Sequence, residues 1–396
     1  MKSWPTNPGS RAKLTTGQRK LGEVCDFIFG YSFKAEDFNE SGKGLSIIRI
    51  GDIDKGITEK FYDGEYNKKY LVKNGDILIG LSGSIKVDKW KGEKALLNQR
   101  IVKVCNFKKD ILDDFVFYQL PKILKRLEIQ IAQGTVKNVL LPHLSNLKIL
   151  TPSLKIQQKI VERLDAIKKA QELNDKQIEL AKELFQSLLH RELDPKGKNW
   201  DLVKLDNVVK NIEYGISVSV QNRLDENGVP ILTMAEIEND GQINYQRARK
   251  ISVSENEVKR FKINKGELLF NWRNEKALIG KTGLFDSEKD FVFASFLLRI
   301  ITNEKALPEF LWHWLNYLRT KNGYFRHAHL AGNQASYNAN SLRNKIFCPL
   351  VSIRTQKKIV EKLSAVQDYK KKLSEQKQKL QELFDSVLNK SFKGQL

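Results

Sequence analysis

The 396-residue chain has three cysteines, two methionines and nine prolines, and no apolar run approaches the roughly 18 residues that span a bilayer. Cys25, Cys105 and Cys348 are odd in number and far apart, which excludes a disulfide frame; they read as small buried hydrophobes of a reducing cytoplasm. The N-terminus, MKSWPTNPGSRAKLTTGQRK, has no apolar core and so is not a signal peptide. It is expected to form a loose polar arm, or a strap.

Catalytic signatures are also missing. Gly280-Lys281-Thr282 looks like the tail of a phosphate loop, but the glycine required five residues earlier is Glu275. No glycine-rich dinucleotide fingerprint opens a helix, and no Asn/Asp-Pro-Pro-Tyr/Phe stands ready for amino-methyl transfer. His327 and His329 have no further ligand at metal spacing, so no metal site is expected. Ser82-Gly83-Ser84 lacks a nearby base, and Asp88/Lys89 and Glu93/Lys94 read as solvated pairs. The expectation is a non-enzyme that uses no cofactor.

What is abundant is positive charge. Sixty-eight Lys and Arg against 47 Asp and Glu leave a net charge of +21. That excess in a folded protein points first to a polyanion, and nucleic acid is the commonest. An anionic membrane is the rival, which the lack of apolar runs and leader disfavours.

The second feature is a repeat. Lys159-Ile160-Val161-Glu162 returns as Lys358-Ile359-Val360-Glu361, 199 residues later. Around the first, Ile160, Leu164, Ile167, Gln171, Asn174, Ile178, Ala181, Phe185 and Leu188 step by four and three, a heptad seam. Around the second, Ile359, Leu363, Val366, Lys370, Leu373, Lys377, Leu380, Phe384 and Val387 keep the same register. Neither stretch contains Pro or Gly. Two long helices follow, capped by Ser153 and Ser352 and stopped by Asp194-Pro195 and Gly394. Residues 160 to 188 alone extend about 44 Å at about 1.5 Å per residue.

A seam this narrow needs a partner. The simplest is the other copy in the same chain; pairing between chains is the alternative. The short linker after the first helix makes the second begin near where the first ends, so the pair is expected to run antiparallel.

The segments before each helix also match weakly. Strands are expected at 46–50, 76–79 and 100–104, then a helix at 111–132 bent at Pro121. The second half repeats the order at 230–233, 265–270 and 297–300, with a helix at 308–320. The offset grows from 184 at Leu21/Leu205 to 191 at Gly75/Gly266 and 196 at Ile101/Leu297. The fold class is therefore α+β: two similar mixed α/β domains separated by two long antiparallel helices forming a coiled coil, a pseudo-twofold internal repeat. The boundaries read 1–150, 151–195, 196–350 and 351–396.

Polar and basic loops are the candidate DNA-binding surfaces, since Arg, Asn, Gln and Lys read base edges or hold phosphates. The first domain offers Ser82, Ser84, Lys86, Lys89, Trp90 and Lys91, then Gln133, Thr135, Lys137 and Asn138. The second offers Asn271, Trp272, Arg273, Asn274 and Lys276, then Asn333, Gln334, Ser336, Tyr337, Asn338 and Asn340. The aromatic stripe Phe310, Trp312 and Trp314 reads as core.

Taken together, Gln157-x-Lys159-Ile160-Val161-Glu162-x-Leu164 and Gln356-x-Lys358-Ile359-Val360-Glu361-x-Leu363, each after a Pro-containing strand end (Pro152, Pro349), resemble the DNA specificity subunit of type I restriction-modification systems. The turns Asn74-Gly75-Asp76 and Lys265-Gly266-Glu267 add to the likeness, which covers essentially the whole chain. The resemblance implies two target recognition domains, each reading half of a split, asymmetric double-stranded DNA site. It implies helical regions that bind two methyltransferase subunits, with restriction subunits joining that complex. A rod of about 44 Å, a little over one DNA turn of roughly 34–36 Å, is then expected to set the gap between the two half-sites. It also implies no catalysis by this chain. The alternative is a stand-alone DNA-bridging or regulatory protein with two DNA-binding domains on one coiled-coil rod.

Overall fold

The computed structural model describes residues 17–81, 85–133, 139–217, 219–321, 323–324 and 328–392. The chain forms two compact units. The first takes residues 1–175 with 376–396; the second takes 176–375. Each globular part thus incorporates half of each long helix.

In the first unit, Gly17–Lys20 pairs antiparallel with Lys148–Thr151, so the end of the expected arm is a strand. A four-stranded antiparallel sheet runs Asp26–Phe29, Ile101–Cys105, Ile77–Gly80, Lys86–Lys89. A five-stranded sheet runs Phe38–Asn39, Phe61–Tyr62, Leu45–Ile48, Ala95–Leu97, Leu71–Val72. Ile77, Ile79, Val102 and Val104 alternate inward from the four-stranded sheet. They meet Phe115, Val116, Leu120 and Leu124 of the helix Asp113–Ala132, which continues through Pro121.

The second unit repeats this plan. Asp201–Lys204 pairs with Phe347–Leu350. The four-stranded sheet runs Val209–Tyr214, Leu297–Thr302, Leu268–Asn271, Thr282–Leu284. The helix Pro308–Thr320 packs on it, and Phe310, Trp312 and Trp314 are buried in that core. The two glycines that open the third strand of each sheet, Gly75 and Gly266, share a φ of +89°, which a residue with a Cβ rarely adopts. In each turn the following acid accepts a backbone N–H, Asp76 from Lys73 and Glu267 from Asn264, both at 2.9 Å. The second unit also carries a three-stranded sheet of Arg273–Glu275, Gln334–Ser336 and His329–Ala331, to which no sheet corresponds among the described residues of the first.

The long helices are Leu154–Leu193 and Ile353–Ser391. Ser352 caps the second through its hydroxyl, which accepts from Thr355 N–H at 3.2 Å. Ser153 serves the first through its carbonyl, which accepts from Ile156 and Gln157. Within the first unit, Gln171 donates to Gln381 (3.1 Å) and Lys377 pairs with Asp175 (2.7 Å). Four residues up one helix match four down the other, so the pairing is antiparallel. Within the second unit, Lys370 lies over the Phe185 ring (5.1 Å) and Lys362 pairs with Glu192 (3.0 Å), again antiparallel. The seam residues Ile160, Leu164, Ile167, Phe185, Leu188, Ile359, Leu363 and Leu373 are buried, and Ile178, Val366, Leu380 and Phe384 are half-buried.

The repeated glutamines have a structural cause. Gln157 is fully buried; its amide donates to the carbonyls of Asp110 (2.9 Å) and Pro152 (2.7 Å) and accepts from Leu112 N–H (2.9 Å). Gln356 does the same to Lys305 (2.7 Å), Val351 (2.9 Å) and Leu307 (2.8 Å). Each glutamine therefore ties the first turn of a long helix to the loop that precedes the globular helix.

Candidate nucleic-acid interface

The two candidate clusters of the second unit, expected as loops, are strands of one ribbon. Arg273 stands opposite Ser336, Asn274 opposite Ala335, and Glu275 opposite Gln334. His329 stands opposite Ser336 across the ribbon's other edge. Opposed residues share a face and neighbours alternate. One face therefore carries Arg273, Glu275, Gln334, Ser336 and His329, all exposed or half-buried. The other carries Ala335, buried in the core, and Asn274, whose amide reaches the Met234 sulfur at 3.3 Å. Arg273 donates to Gln334 (3.4 Å), and the Lys276 N–H donates to the Asn333 carbonyl (3.1 Å). A β-ribbon with such a polar face is one of the elements a DNA major groove admits.

Beside the ribbon lies an aromatic patch. Trp272 is half-buried, with its indole N–H on the Ser295 carbonyl (2.6 Å). It packs between Tyr214 (5.3 Å) and Phe296 (6.3 Å), and the Arg273 guanidinium lies 5.9 Å from the Phe296 ring. Sequence reasoning missed Tyr214 and Phe296, which stand far from the basic clusters along the chain. Asn338 is exposed, and its side chain caps the helix Ala339–Lys345 by accepting from Ser341 N–H at 2.7 Å. Asn340 is exposed and accepts from the Asn344 amide.

Three candidates must be set aside because their side chains face the core. Tyr337 is buried, its hydroxyl on the Tyr324 carbonyl. Asn271 is fully buried at the base of the ribbon, where its backbone meets Gly280 and Lys281. Trp90 is buried, its indole N–H on the Glu93 carbonyl at 2.6 Å.

In the first unit the basic residues are not one loop. Lys86–Lys89 is the return strand of a hairpin, with Lys86 opposite Gly80 and Lys89 opposite Ile77. Lys86 is therefore near the tip, 3.6 Å from Asp54. Lys89, Trp90 and Lys91 lie at the opposite end, beside Gly75, whose N–H donates to the Trp90 carbonyl. Lys89 is tied to Asp114 and the Phe117 ring, and Lys91 to Asp88. Gln133 is exposed. Ser82, Ser84, Thr135, Lys137, Asn138 and His327 lie outside the described residues.

Other groups have structural employment. Lys281 of the phosphate-loop lookalike donates to the carbonyls of Met234 (3.2 Å) and Ile237 (2.6 Å), and burial lowers its pKa. Burial first, then Asp26, pushes the Cys25 thiol up to about 12, and burial alone pushes Cys348 to about 12, so both are protonated. Among the described residues, no group of three His, Cys, Asp or Glu could hold a metal, and no helix is long and apolar enough to cross a membrane.

These features define a class: an internally duplicated α+β protein whose two units repeat one four-stranded sheet, one packed helix and one long helix. The profile of the type I restriction modification DNA specificity domain matches residues 15–183 and again 197–383. The chain belongs to that family. It is 25% identical over 410 residues to the type I restriction enzyme EcoBI specificity subunit of Escherichia coli, covering 95% of this chain and 85% of that one. In fold it resembles the S subunit of the type I restriction-modification system of M. genitalium, with a TM-score of 0.60, 16% identity, and 96% and 97% of the two chains covered. A chain from a structure on complex assembly and conformational transition of the type I R-M system gives a TM-score of 0.59 at 19% identity, with both chains fully covered.

Proposed function

We propose that this chain is the non-catalytic, DNA-reading subunit of a cytoplasmic type I complex. Each globular domain reads one half of a bipartite double-stranded site. The long helices set the gap and dock two methyltransferase subunits, and restriction subunits join through that assembly. The observation that carries the reading is that one scaffold occurs twice with a different surface on each copy, in a chain of the specificity family. Two unlike surfaces suit an asymmetric target. The ribbon residues Arg273, Gln334, Ser336 and Lys276, with Asn274, Asn338 and Asn340 around them, are the proposed contacts of the second domain. Trp272 stiffens the patch. In the first domain Lys86, Lys91 and Gln133 are the proposed contacts, with Lys89 in a lesser role.

The test is to map methylated DNA motifs in cells carrying the methyltransferase partner with and without this chain. A split motif that appears only with the chain, and copurification of the two proteins, is the expected outcome. Site binding by a chain that takes no partner would favour the stand-alone bridging protein instead. Methylation or cleavage by the isolated chain would end the non-catalytic reading. The spacer role has its own test. A heptad inserted at matched positions in both helices adds about 10 Å at about 1.5 Å per residue. The preferred gap should grow by about three base pairs at about 3.4 Å each, and an unchanged gap refutes it.

A further inference from the structure

The turn before the central strand of each four-stranded sheet is the same structure in both units. In the first, Gly30 N–H donates to Ile101 O (2.9 Å), Tyr31 N–H to Leu97 O (3.0 Å), Leu81 N–H to Arg100 O (2.8 Å), and Ile101 N–H to Asn98 O (3.3 Å). In the second, Gly215 donates to Leu297 (3.3 Å), Ile216 to Phe293 (2.8 Å), Trp272 to Phe296 (3.4 Å), and Leu297 to Ala294 (3.0 Å). Both glycines are obligatory: a Cβ on Gly30 would meet Asn98 O at 1.9 Å, and one on Gly215 would meet Ala294 O at 2.4 Å. The matching bonds equate Asn98-Gln99-Arg100 with Ala294-Ser295-Phe296, position by position.

In the second unit the last of these positions, Phe296, belongs to the aromatic patch beside the ribbon and is 43% exposed. In the first unit the same position holds Arg100, also exposed, with a φ of +64°. A left-handed conformation in a residue with a long side chain is strained, and glycine would serve the turn better. Exposed Gln99 precedes it, with the Ser32 hydroxyl donating to the Gln99 amide oxygen (3.1 Å). Tyr31, 51% exposed, follows the glycine of the same turn and packs on Tyr70, over which Lys69 lies. The surface that is aromatic in one unit is thus guanidinium and amide in the other, rimmed by tyrosine and lysine.

We propose that Arg100 is a base-reading residue of the first domain, donating bidentately to O6 and N7 of one guanine of its half-site, with Gln99 reading or buttressing the adjacent pair. The inference rests on the function proposed above. Its chemistry is the commonest specific contact in the major groove: a planar fork with two parallel donors matches guanine and no other base.

The experiment uses the chain assembled with its own methyltransferase subunits and reads the methylated motif of wild type, R100A, R100G and R100K, with salt-dependent binding to a matched and a singly substituted duplex. R100A and R100G should relax one position of one half-site, losing about 5- to 160-fold of discrimination there. The other half-site should stay intact, and R100K should recover little of the loss. R100G keeps the left-handed backbone of the turn without strain, so it carries the test should R100A fold poorly. An unchanged motif overturns the proposal. So does a uniform loss of affinity on all sequences with a smaller salt slope that R100K restores, since that marks a phosphate contact. A wild-type complex that methylates no split motif sinks the parent function, and this assignment with it.

Discussion

Replacing Gln157 by Leu keeps the volume of a fully buried side chain and removes its hydrogen bonds. The Leu112 N–H loses its acceptor, and the carbonyls of Asp110 and Pro152 lose a donor. Of these, the contact with Pro152 is wholly buried and the other two partly so. A buried group left without a partner costs about 1–3 kcal/mol, and a partly wet one about 0.5–1.5 kcal/mol. At the midpoints of those ranges the sum is about 4 kcal/mol, which for a unit of this size lowers the unfolding temperature by about 8–16 °C. Q356L faces the matching set of Leu307, Lys305 and Val351 and should cost the second unit a similar amount. Q157E is the sharper variant: it keeps an acceptor for Leu112 but sets a carboxylate against two carbonyls, so it should destabilise more than Q157L. The assay is denaturant unfolding of the full chain followed by hydrogen exchange, which separates the units. A cost below about 1 kcal/mol for both leucine variants would refute the idea that these glutamines bind helix to domain.

Three further outcomes can be measured. His313 is fully buried beside Phe185 and Trp312, and burial lowers its pKa to about 3. The folded state therefore binds fewer protons than the unfolded state below about pH 6.5. Stability should be full above that pH and fall as pH drops, by up to about 1.4 kcal/mol per unit, so H313F should flatten the melting profile between about pH 6.5 and 5; an unchanged slope refutes the assignment. Asn174 is buried in the seam with neither amide atom hydrogen-bonded, whereas the repeat places Leu373 at its register. N174L should stabilise by about 1–3 kcal/mol in denaturant titrations, and a loss would mean that Asn174 has a partner in solution. R273A should weaken binding to DNA and lower the salt slope by about one, whereas K89A, whose lysine is tied to Asp114, should lower it by less; equal effects would refute the lesser role given to Lys89.

The long helices were legible because a heptad seam is written locally and repeated: the periodicity that defines the element also defines its buried face. The helix Pro308–Thr320 was legible for the same reason, since its apolar stripe opens at a proline. The ribbon was not. Arg273–Glu275 reads Arg-Asn-Glu, with no alternation of apolar and polar residues, and becomes a strand only by pairing with residues some 60 positions away. Trp90 and Tyr337 were misplaced because the composition of a polar stretch does not tell which one of its side chains turns inward. Arg100 and Phe296 were invisible because nothing local marks a turn whose hydrogen bonds come from three distant segments.

The offsets between the halves carry the same physics. In the helices the offset stays at 199 from Gln157 to Phe185, because one inserted residue would rotate all later seam positions by about 100° and bury charge. In the sheets the offset is 191 at Ile79/Phe270 and 195 at Val87/Thr282, the residues that pair across the hairpin in each unit. The four added residues fall between the paired strands, where register closes again behind them, and in the second unit that lengthened tip supplies Arg273–Glu275 to the ribbon. Insertions are therefore tolerated where the scaffold presents its surface and forbidden where it holds its helices. A duplicated chain constrained in this way can diversify what each half touches without disturbing the paired helices, which is the property that two independent readers on one spacer require.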